Sequence, residues 1–332
     1  MLFRSKANGD TGTQARLLHT LGQYYAEQGD RAQAQTYHKQ ALEAYESLDD
    51  LDGMLVTLDA LAALAAWADD AQNALVYASR GVNIAQRLGD KVRMGRLQSR
   101  LGDVRLALND LPGAVEAYTQ AVETLRSTED WLTIGVVMSK LGSAYLEQHK
   151  PKEAIMMLEQ ALVIFQKEQR TDNIGETLAN IGTGYGEMQQ WDRAQAYYEQ
   201  ALALARQNAD AEAEAHDLGA LARARKLQAD RAGAMDYYRQ ALHVAYQMED
   251  TDLQAEYAFE LGNLLSDDMN MLNLALQLLR ESDAQVPNGD ARRMVERARK
   301  RLERATAAGV SVPAASMSSR DYAAEAYKAR VM

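Results

Sequence analysis

The sequence predicts an all-α protein, and two observations support that prediction. The chain of 332 residues has only 4 Pro and 3 Phe, and it is rich in Ala, Leu, Gln, Glu and Arg, which lose little rotamer freedom in a helix. A pattern of small and large residues then recurs every 40 residues, without a gap, from residue 11 to residue 290. A chain that grows by repetition needs no single large core, so we expect an extended array of helices.

Seven copies of the pattern follow one another, and we call them repeats one to seven. Each holds three places for small residues, where two helices can approach closely, and larger residues recur around them at helical spacing. The small residues are Gly22, Ala62, Gly102, Gly142, Gly182, Ala222 and Gly262 at the first place, Ala34, Ala74, Ala114, Ala154, Ala194 and Ala234 at the second, and Ala41, Gly81, Ala121, Ala161, Ala201 and Ala241 at the third. Each repeat is therefore predicted to be an antiparallel pair of helices of about 18 residues each.

Aspartates punctuate the repeats where helices should begin. A carboxylate before a helix accepts hydrogen bonds from unpaired N–H groups and suits the helix dipole. The starts of first helices are marked by Asp10, Asp50, Asp90, Asp130, Asp210, Asp250 and Asp290, and the turns before second helices by Asp30, Asp70, Asp110 and Asp230. These positions predict where the helices of each repeat start.

Repeat five contains the stretch "IGTGYGEMQQ", whose Gly182, Gly184 and Gly186 resemble a phosphate-binding loop. The alignment of repeats identifies Gly182 as a packing glycine and Tyr185 as a packing tyrosine. No strand precedes the glycines and no Lys-Ser/Thr pair follows them, so a helix is favoured over a nucleotide site. Gly184 and Gly186 are left unexplained by packing.

The pattern Leu-Gly-x-x-Tyr, then Ala, an aromatic residue and "QAL", resembles the tetratricopeptide repeat. Repeat five shows it at Ile181, Gly182, Tyr185, Ala194 and Ala201. The repeat has 40 residues rather than the usual 34 and lacks the closing Pro. In this it is similar to the long-repeat branch found in cell-polarity adaptors of the Pins and LGN type and in bacterial regulator sensor domains. The resemblance implies a right-handed α-solenoid whose first helices line a concave, partner-binding groove.

On that groove we predict a basic centre that binds an acidic or carboxylate-terminated protein segment. Residues 40 apart should form a row across repeats three to six, where small neighbours leave room for a peptide backbone. The predicted groove residues are Arg96, Arg100, Lys140, Ser143, Asn180, Thr183, Arg223 and Lys226. The alternative is that these charges form a solvated face and pair with neighbouring acidic residues.

Trp67, at the end of the first helix of repeat two, is either an aromatic anchor for a ligand or a wedge between repeats. The wedge is favoured because Trp is usually largely buried. Trp131 and Trp191 stand near helix starts and are interpreted as structural.

The composition argues against several functions. A net charge of −11 disfavours a nucleic acid partner, since phosphate binding requires a basic face. The absence of Cys excludes disulfides and thiolate metal sites. No secretion signal or membrane-spanning run is recognisable, so we expect a cytoplasmic chain. No catalytic motif occurs, and the five His residues are scattered, so we predict no enzyme activity, cofactor or metal.

Two functional hypotheses follow. As an adaptor, the chain would hold a protein segment in its groove. As the sensor arm of a larger regulator, it would bind a peptide or small effector and change its superhelical pitch.

The predicted domains are an N-terminal lead over 1–10, the repeats over 11–290, a basic amphipathic cap helix over 291–306, and a linker with a short C-terminal segment over 307–332. The cap is predicted because Ala291 to Arg304 carry seven Arg or Lys residues around a stripe that includes Met294, Ala298 and Leu302. It either caps the last repeat and presents a polar face to solvent, or contacts an anionic surface. The final segment could form a helix that docks on the repeats, even in the groove, or recruits a partner.

Overall fold

The computed structural model describes residues 11–68, 70–286, 289–315 and 318–331, and across these ranges the chain is helical, without a strand. Sixteen α-helices are present in these ranges. In chain order they are α1 Thr11–Glu27, α2 Arg31–Ser47, α3 Leu51–Trp67, α4 Ala71–Leu88, α5 Lys91–Ala107, α6 Leu111–Leu125, α7 Trp131–Glu147, α8 Pro151–Lys167, α9 Thr171–Glu187, α10 Trp191–Asn208, α11 Ala211–Leu227, α12 Arg231–Met248, α13 Thr251–Leu265, α14 Leu272–Gln285, α15 Gly289–Ala307 and α16 Ser319–Val331. The helices α1 to α14 form seven consecutive pairs, one per repeat, as predicted.

The predicted aspartates cap the helices. Asp30 Oδ1 accepts a hydrogen bond from the Gln33 amide at 3.1 Å, and Asp130 accepts one from the Thr133 amide at 3.3 Å. The same arrangement occurs at Asp50, Asp70, Asp90, Asp110, Asp210, Asp230 and Asp250. Four helices begin after Lys150, Arg170, Gln190 and Met271 instead, and no side chain caps them. Asp10 lies outside the described residues, as does the predicted lead over 1–10.

The chain divides into two compact units, Met1–Gln169 and Arg170–Met332. In the first unit, α1 to α8 form four helix pairs whose close approaches depend on the small residues predicted at the first place. A Cβ added at Gly102 would lie 2.4 Å from Cε1 of Tyr118, and one added at Gly142 would lie 2.5 Å from Cγ of Leu158. No larger residue fits there without moving its neighbour.

In the second unit, α9 to α14 form three helix pairs, and α15 and α16 follow them. Gly182 packs as predicted, since an added Cβ would lie 2.8 Å from the Tyr198 ring. Tyr185 stacks on Tyr197 with ring centroids 5.4 Å apart. Gly182, Gly184 and Gly186 all lie within α9, so the stretch is a helix and not a phosphate-binding loop.

The basic helix α15 covers α14, as a cap should. Ala298 is buried against Leu272, Leu276 and Leu279, with Met294 and Leu302 beside it. Its basic face also reaches the last repeat, since Arg301 donates to Oδ1 of Asp267 at 2.7 Å. The helix extends from Gly289 to Ala307 rather than over 291–306, and Asp290 consequently lies inside it and not before it.

The C-terminal helix α16 docks mainly on the second helices of repeats six and seven, and its Tyr327 also lies next to Glu214 of the first helix α11. Tyr322 and Ala323 are buried in the core of the second unit. Arg239 of α12 donates two hydrogen bonds to the Tyr322 carbonyl, at 3.0 and 2.8 Å. Glu281 of α14 accepts hydrogen bonds from the Tyr246 and Ser319 hydroxyls. The final segment therefore forms a helix that docks on the repeats, which is one of the possibilities that the sequence left open.

Candidate functional site

A cavity of about 300 Å³ opens on the first helices of repeats one to three. Every residue that lines it comes from α1, α3 or α5, which shows that these three helices share one face of the first unit. The lining is His19, Gln23, Leu55, Val56, Asp59, Ala60, Ala63, Arg93, Arg96, Leu97 and Arg100. Arg96 and Arg100 of this lining were predicted as groove residues, and both lie on the cavity.

The cavity combines an apolar floor with guanidinium groups at one side. Its other end is formed by His19 and Gln23 of α1. Burial, and to a smaller extent the neighbouring His19, lowers the pKa of His38 to about 4. Burial also lowers the pKa of His19. The His19 and Thr57 side chains are 3.1 Å apart, within hydrogen-bond distance. The cations of the cavity therefore come from repeat three, and burial favours the neutral form of the His side chains of repeat one.

Each predicted cation of the first unit has an acidic partner. Arg96 Nη2 lies 2.6 Å from Asp130 Oδ2, and Arg100 lies 3.1 Å from Asp59. Lys140 Nζ donates to both oxygens of Asp103 at 2.7 Å, and Asp103 also accepts from the Tyr118 hydroxyl at 2.7 Å. Since Asp59, Asp103 and Asp130 belong to neighbouring first helices or their caps, these pairs join adjacent repeats.

The same holds for the cations of the second unit. Arg223 Nη1 lies 3.0 Å from Glu256, and Lys226 Nζ lies 2.5 Å from Glu260. Thr183 of α9 bonds within its own repeat, to the Ala179 carbonyl and the Tyr198 hydroxyl. The alternative interpretation was that the basic residues form a solvated face and pair with neighbouring acidic residues. The structure contains the pairing.

Ser143 bonds within its own helix, and two of the tryptophans are more exposed than expected. The Ser143 hydroxyl donates to the Ser139 carbonyl at 3.2 Å. Trp67 is 57% exposed, with the Arg31 guanidinium over its ring, so the favoured interpretation as a buried wedge is wrong. Trp131, interpreted as structural, is 48% exposed at the start of α7.

Sequence reasoning missed a second cavity, in the second unit, lined by α9, α10 and the start of α11. Its volume is about 460 Å³, and its most unusual lining residue is Asp217, which is buried with only 5% exposure. The signal was present in the sequence: at the equivalent place other repeats carry Leu97, Val137 and Tyr257, so an acid there breaks the pattern.

The described residues contain no group of three or more His, Asp or Glu residues that could hold a metal ion. None of the helices in that part of the chain is long and apolar enough to cross a membrane.

The consecutive helix pairs with small residues at fixed places define a class of protein, the helical-repeat proteins. Sequence models of the tetratricopeptide repeat match residues 14–48, 94–167, 133–207 and 218–251, which is more than half of the chain. The chain belongs to the tetratricopeptide repeat family. A search of curated protein sequences gave no match.

Solved structures show the same fold at low sequence identity. The apo form of RapI is 16% identical with a TM-score of 0.65, over 88% of this chain and 99% of that one. A signal transduction ATPase from Pyrococcus horikoshii, with a tetratricopeptide repeat sensor, is 13% identical with a TM-score of 0.65 over 90% of this chain and 44% of its own. Aspartyl phosphate phosphatase F from Bacillus subtilis is 12% identical with a TM-score of 0.57, over 85% and 79%. At these identities the likeness concerns the fold alone.

Proposed function

We propose that the chain is a non-catalytic scaffold or adaptor that binds a peptide segment of a partner protein on its first helices. The observation that carries the proposal is the cavity on α1, α3 and α5, which is lined only by first helices. It offers an apolar floor, suited to aliphatic or aromatic side chains, beside Arg93, Arg96 and Arg100. A concave surface with few charged groups at defined places is typical of peptide recognition.

The partner segment is proposed to be acidic or to end in a carboxylate. In the first unit it would meet Arg96, Arg100, Lys140 and Ser143, and in the second unit Asn180, Thr183, Arg223 and Lys226. The ion pairs that these cations already form do not oppose this. The Arg100 and Asp59 side chains are 31% and 45% exposed, and exposed pairs contribute about 0–1 kcal/mol each.

A ligand carboxylate can therefore displace or share such a pair at small cost. Once a bound segment shields the bond from water, a charge-assisted hydrogen bond contributes about 1.5–3 kcal/mol. The balance favours the ligand over the internal acid wherever the segment also covers the cavity floor.

The experiment is a random peptide display screen against the full chain, followed by affinity measurements on synthetic hits. We expect hits enriched in Asp, Glu or a free C-terminus, and at least tenfold weaker binding to the double variant Arg100→Glu, Lys140→Glu with helicity unchanged. The control is Arg80→Glu, Lys152→Glu, which makes the same charge change on the second helices α4 and α8. Undiminished binding to the first variant, or uniformly basic hits, would contradict the proposal.

A second candidate is the sensor arm of a larger regulator. The likeness to the ATPase with a tetratricopeptide repeat sensor favours it, because this chain spans 44% of that protein. Small-angle X-ray scattering with and without a bound hit distinguishes the two candidates: a change in superhelical pitch supports the sensor arm, and an unchanged pitch supports the adaptor.

A further inference from the structure

The cavity of about 460 Å³ in the second unit has an unusual composition. Its lining combines small and apolar residues with five acids and includes neither Lys nor Arg. The small and apolar residues are Gly175, Ala179, Ala201, Leu204, Ala205 and Ala213, and the acids are Asp172, Glu176, Asp210, Glu212 and Asp217. The volume suits a small organic group rather than a folded segment.

The cavity exists because one packing residue is missing. In repeat three, Leu125 fills the space beside Gly95, where an added Cβ would lie 2.4 Å from Leu125 Cγ. In repeat four, Phe165 does the same beside Gly135, at 3.1 Å. The equivalent residue of repeat five is Ala205. Beside it, a Cβ added at Gly175 would meet only Leu204, at 3.6 Å.

Asp217 places a carboxylate in this space without a partner. It is 5% exposed, and no donor or cation in the described part of the chain contacts its oxygens. Glu214 on the same helix is also buried, but unlike Asp217 it has a partner. Its Oε1 accepts a hydrogen bond from Arg206 Nε at 2.7 Å. A buried carboxylate without a partner is costly, so an acid kept at this place is unexplained by packing.

We propose that this cavity binds the cationic end of an alkyl guanidinium or alkyl ammonium group, which pairs with Asp217. The alkyl part lies against Ala201, Leu204 and Ala205, where repeats three and four carry a hydrophobic side chain of their own. This is a second site, separate from the residues of the proposed function, and it takes a ligand of opposite charge. The group can be a Lys or Arg side chain of a protein segment, or a free amine.

The electrostatics of the site are consistent with a cationic ligand. Burial, and to a smaller extent the nearby Asp210, raises the pKa of Asp217 to about 7. The titratable groups that line the cavity with it are Asp210 at the N-cap of α11, Glu212 and His216 of α11, and Asp172 and Glu176 of α9. The Tyr198 and Tyr257 hydroxyls are also near it. A bound cation offsets both causes, because it stabilises the ionised form of Asp217.

The test measures binding to the full chain by titration calorimetry at pH 8. The probes are n-butylguanidinium and its uncharged counterpart n-butylurea. We expect n-butylguanidinium to bind at least tenfold more tightly than n-butylurea. Equal binding of the two, or no binding of either, would overturn the proposal.

A second pair of probes identifies the source of the group. They are the peptide acetyl-Ala-Ala-Arg-Ala-Ala-amide and the same peptide with Gln in place of Arg. A preference for the Arg peptide over n-butylguanidinium assigns the site to a protein segment, and the reverse order assigns it to a free amine.

Two variants test the site itself. Asp217→Asn removes the charge and keeps the shape, and Ala205→Phe fills the space as Phe165 does in repeat four. We expect each to weaken n-butylguanidinium binding at least tenfold, with melting temperatures at or above that of the parent chain. Glu214→Gln, a buried acid of α11 outside the lining, is the control and should bind as the parent does. Unchanged binding in Asp217→Asn or in Ala205→Phe would contradict the proposal.

Discussion

Repeats four and five solve the same packing problem differently. Both have a glycine on the first helix, Gly135 and Gly175, and both face it with the same position of the second helix. In repeat four that position is Phe165, which is fully buried. In repeat five it is Ala205, and a cavity remains. The comparison shows that the shared small residues determine the fold, while the larger residues between them decide where the fold leaves space.

An array of repeats can accept such a space because its stability is a sum of local terms. Each helix pair contacts its immediate neighbours, so a packing defect in one repeat is not transmitted to a single common core. A globular domain of similar size would lose more of its core through one such change. Repeat proteins can therefore vary one repeat at a time without losing the fold.

The largest effect expected from this comparison is in repeat four. Phe165→Ala should create in that repeat the space that repeat five already has, and it should lower the free energy of unfolding by about 3–5 kcal/mol. Urea unfolding followed by circular dichroism measures the change. Val163→Ala, on the same helix at a side chain that is 66% exposed, is the control, and it should change stability by less than about 0.5 kcal/mol. If Phe165→Ala lowers the free energy of unfolding no more than the control does, the packing of Phe165 beside Gly135 does not contribute to stability.

The next effect depends on pH and concerns Asp217. Its pKa in the folded chain is about 7, above the ordinary 3.8, so the folded state holds the proton more tightly than the unfolded state does. Below about pH 4 the carboxyl is protonated in both states, and its burial carries little electrostatic cost. Between about pH 4 and pH 7 the parent chain loses stability as the proton becomes harder to retain, and above pH 7 the loss is complete.

Asp217→Asn removes this loss, so the variant should exceed the parent by about 2–4 kcal/mol above pH 7 and by little at pH 4. Urea unfolding at pH 4.5, 6 and 8 measures the difference. Glu199→Gln, an exposed acid on α10, serves as the control and should show no such trend. A parent chain that is more stable than the variant at pH 8 would mean that Asp217 has a partner that stabilises its charge.

The fold was predictable because it depends on what the repeats share. Gly22, Gly102 and Gly182 recur at one place, and each faces a ring of the second helix across a distance that excludes a side chain. The Asp residues at positions 30, 50 and 90 recur too, and each caps a helix. A periodic pattern averages over many copies, so a single sequence was enough to read it.

The candidate sites were less predictable because they depend on departures from the repeat. The cavity beside Ala205 is a space that no side chain fills. The sequence reveals it only when Ala205 is compared with the larger Leu125 and Phe165 of repeats three and four. The pairing of Lys140 with Asp103 depends on two side chains 37 positions apart that meet across neighbouring first helices. Trp67 was misjudged because its residue type favours burial, whereas its place at the end of α3 leaves the ring exposed beside Arg31.

The smallest effect separates the two glycines with which the comparison began. In a helix interior, Gly destabilises by about 0.5–1 kcal/mol relative to Ala. A Cβ at Gly175 would make an ordinary contact with Leu204 at 3.6 Å, so Gly175→Ala should recover that stability, by about 0.5–1 kcal/mol. A Cβ at Gly135 would lie 3.0 Å from Ile164 Cγ2 and 3.1 Å from Phe165 Cε1. Because Ile164 and the fully buried Phe165 would have to move, Gly135→Ala should gain less or lose stability. Thermal unfolding of the two variants side by side measures the difference, and an equal gain in both would show that Phe165 yields readily to an added methyl group.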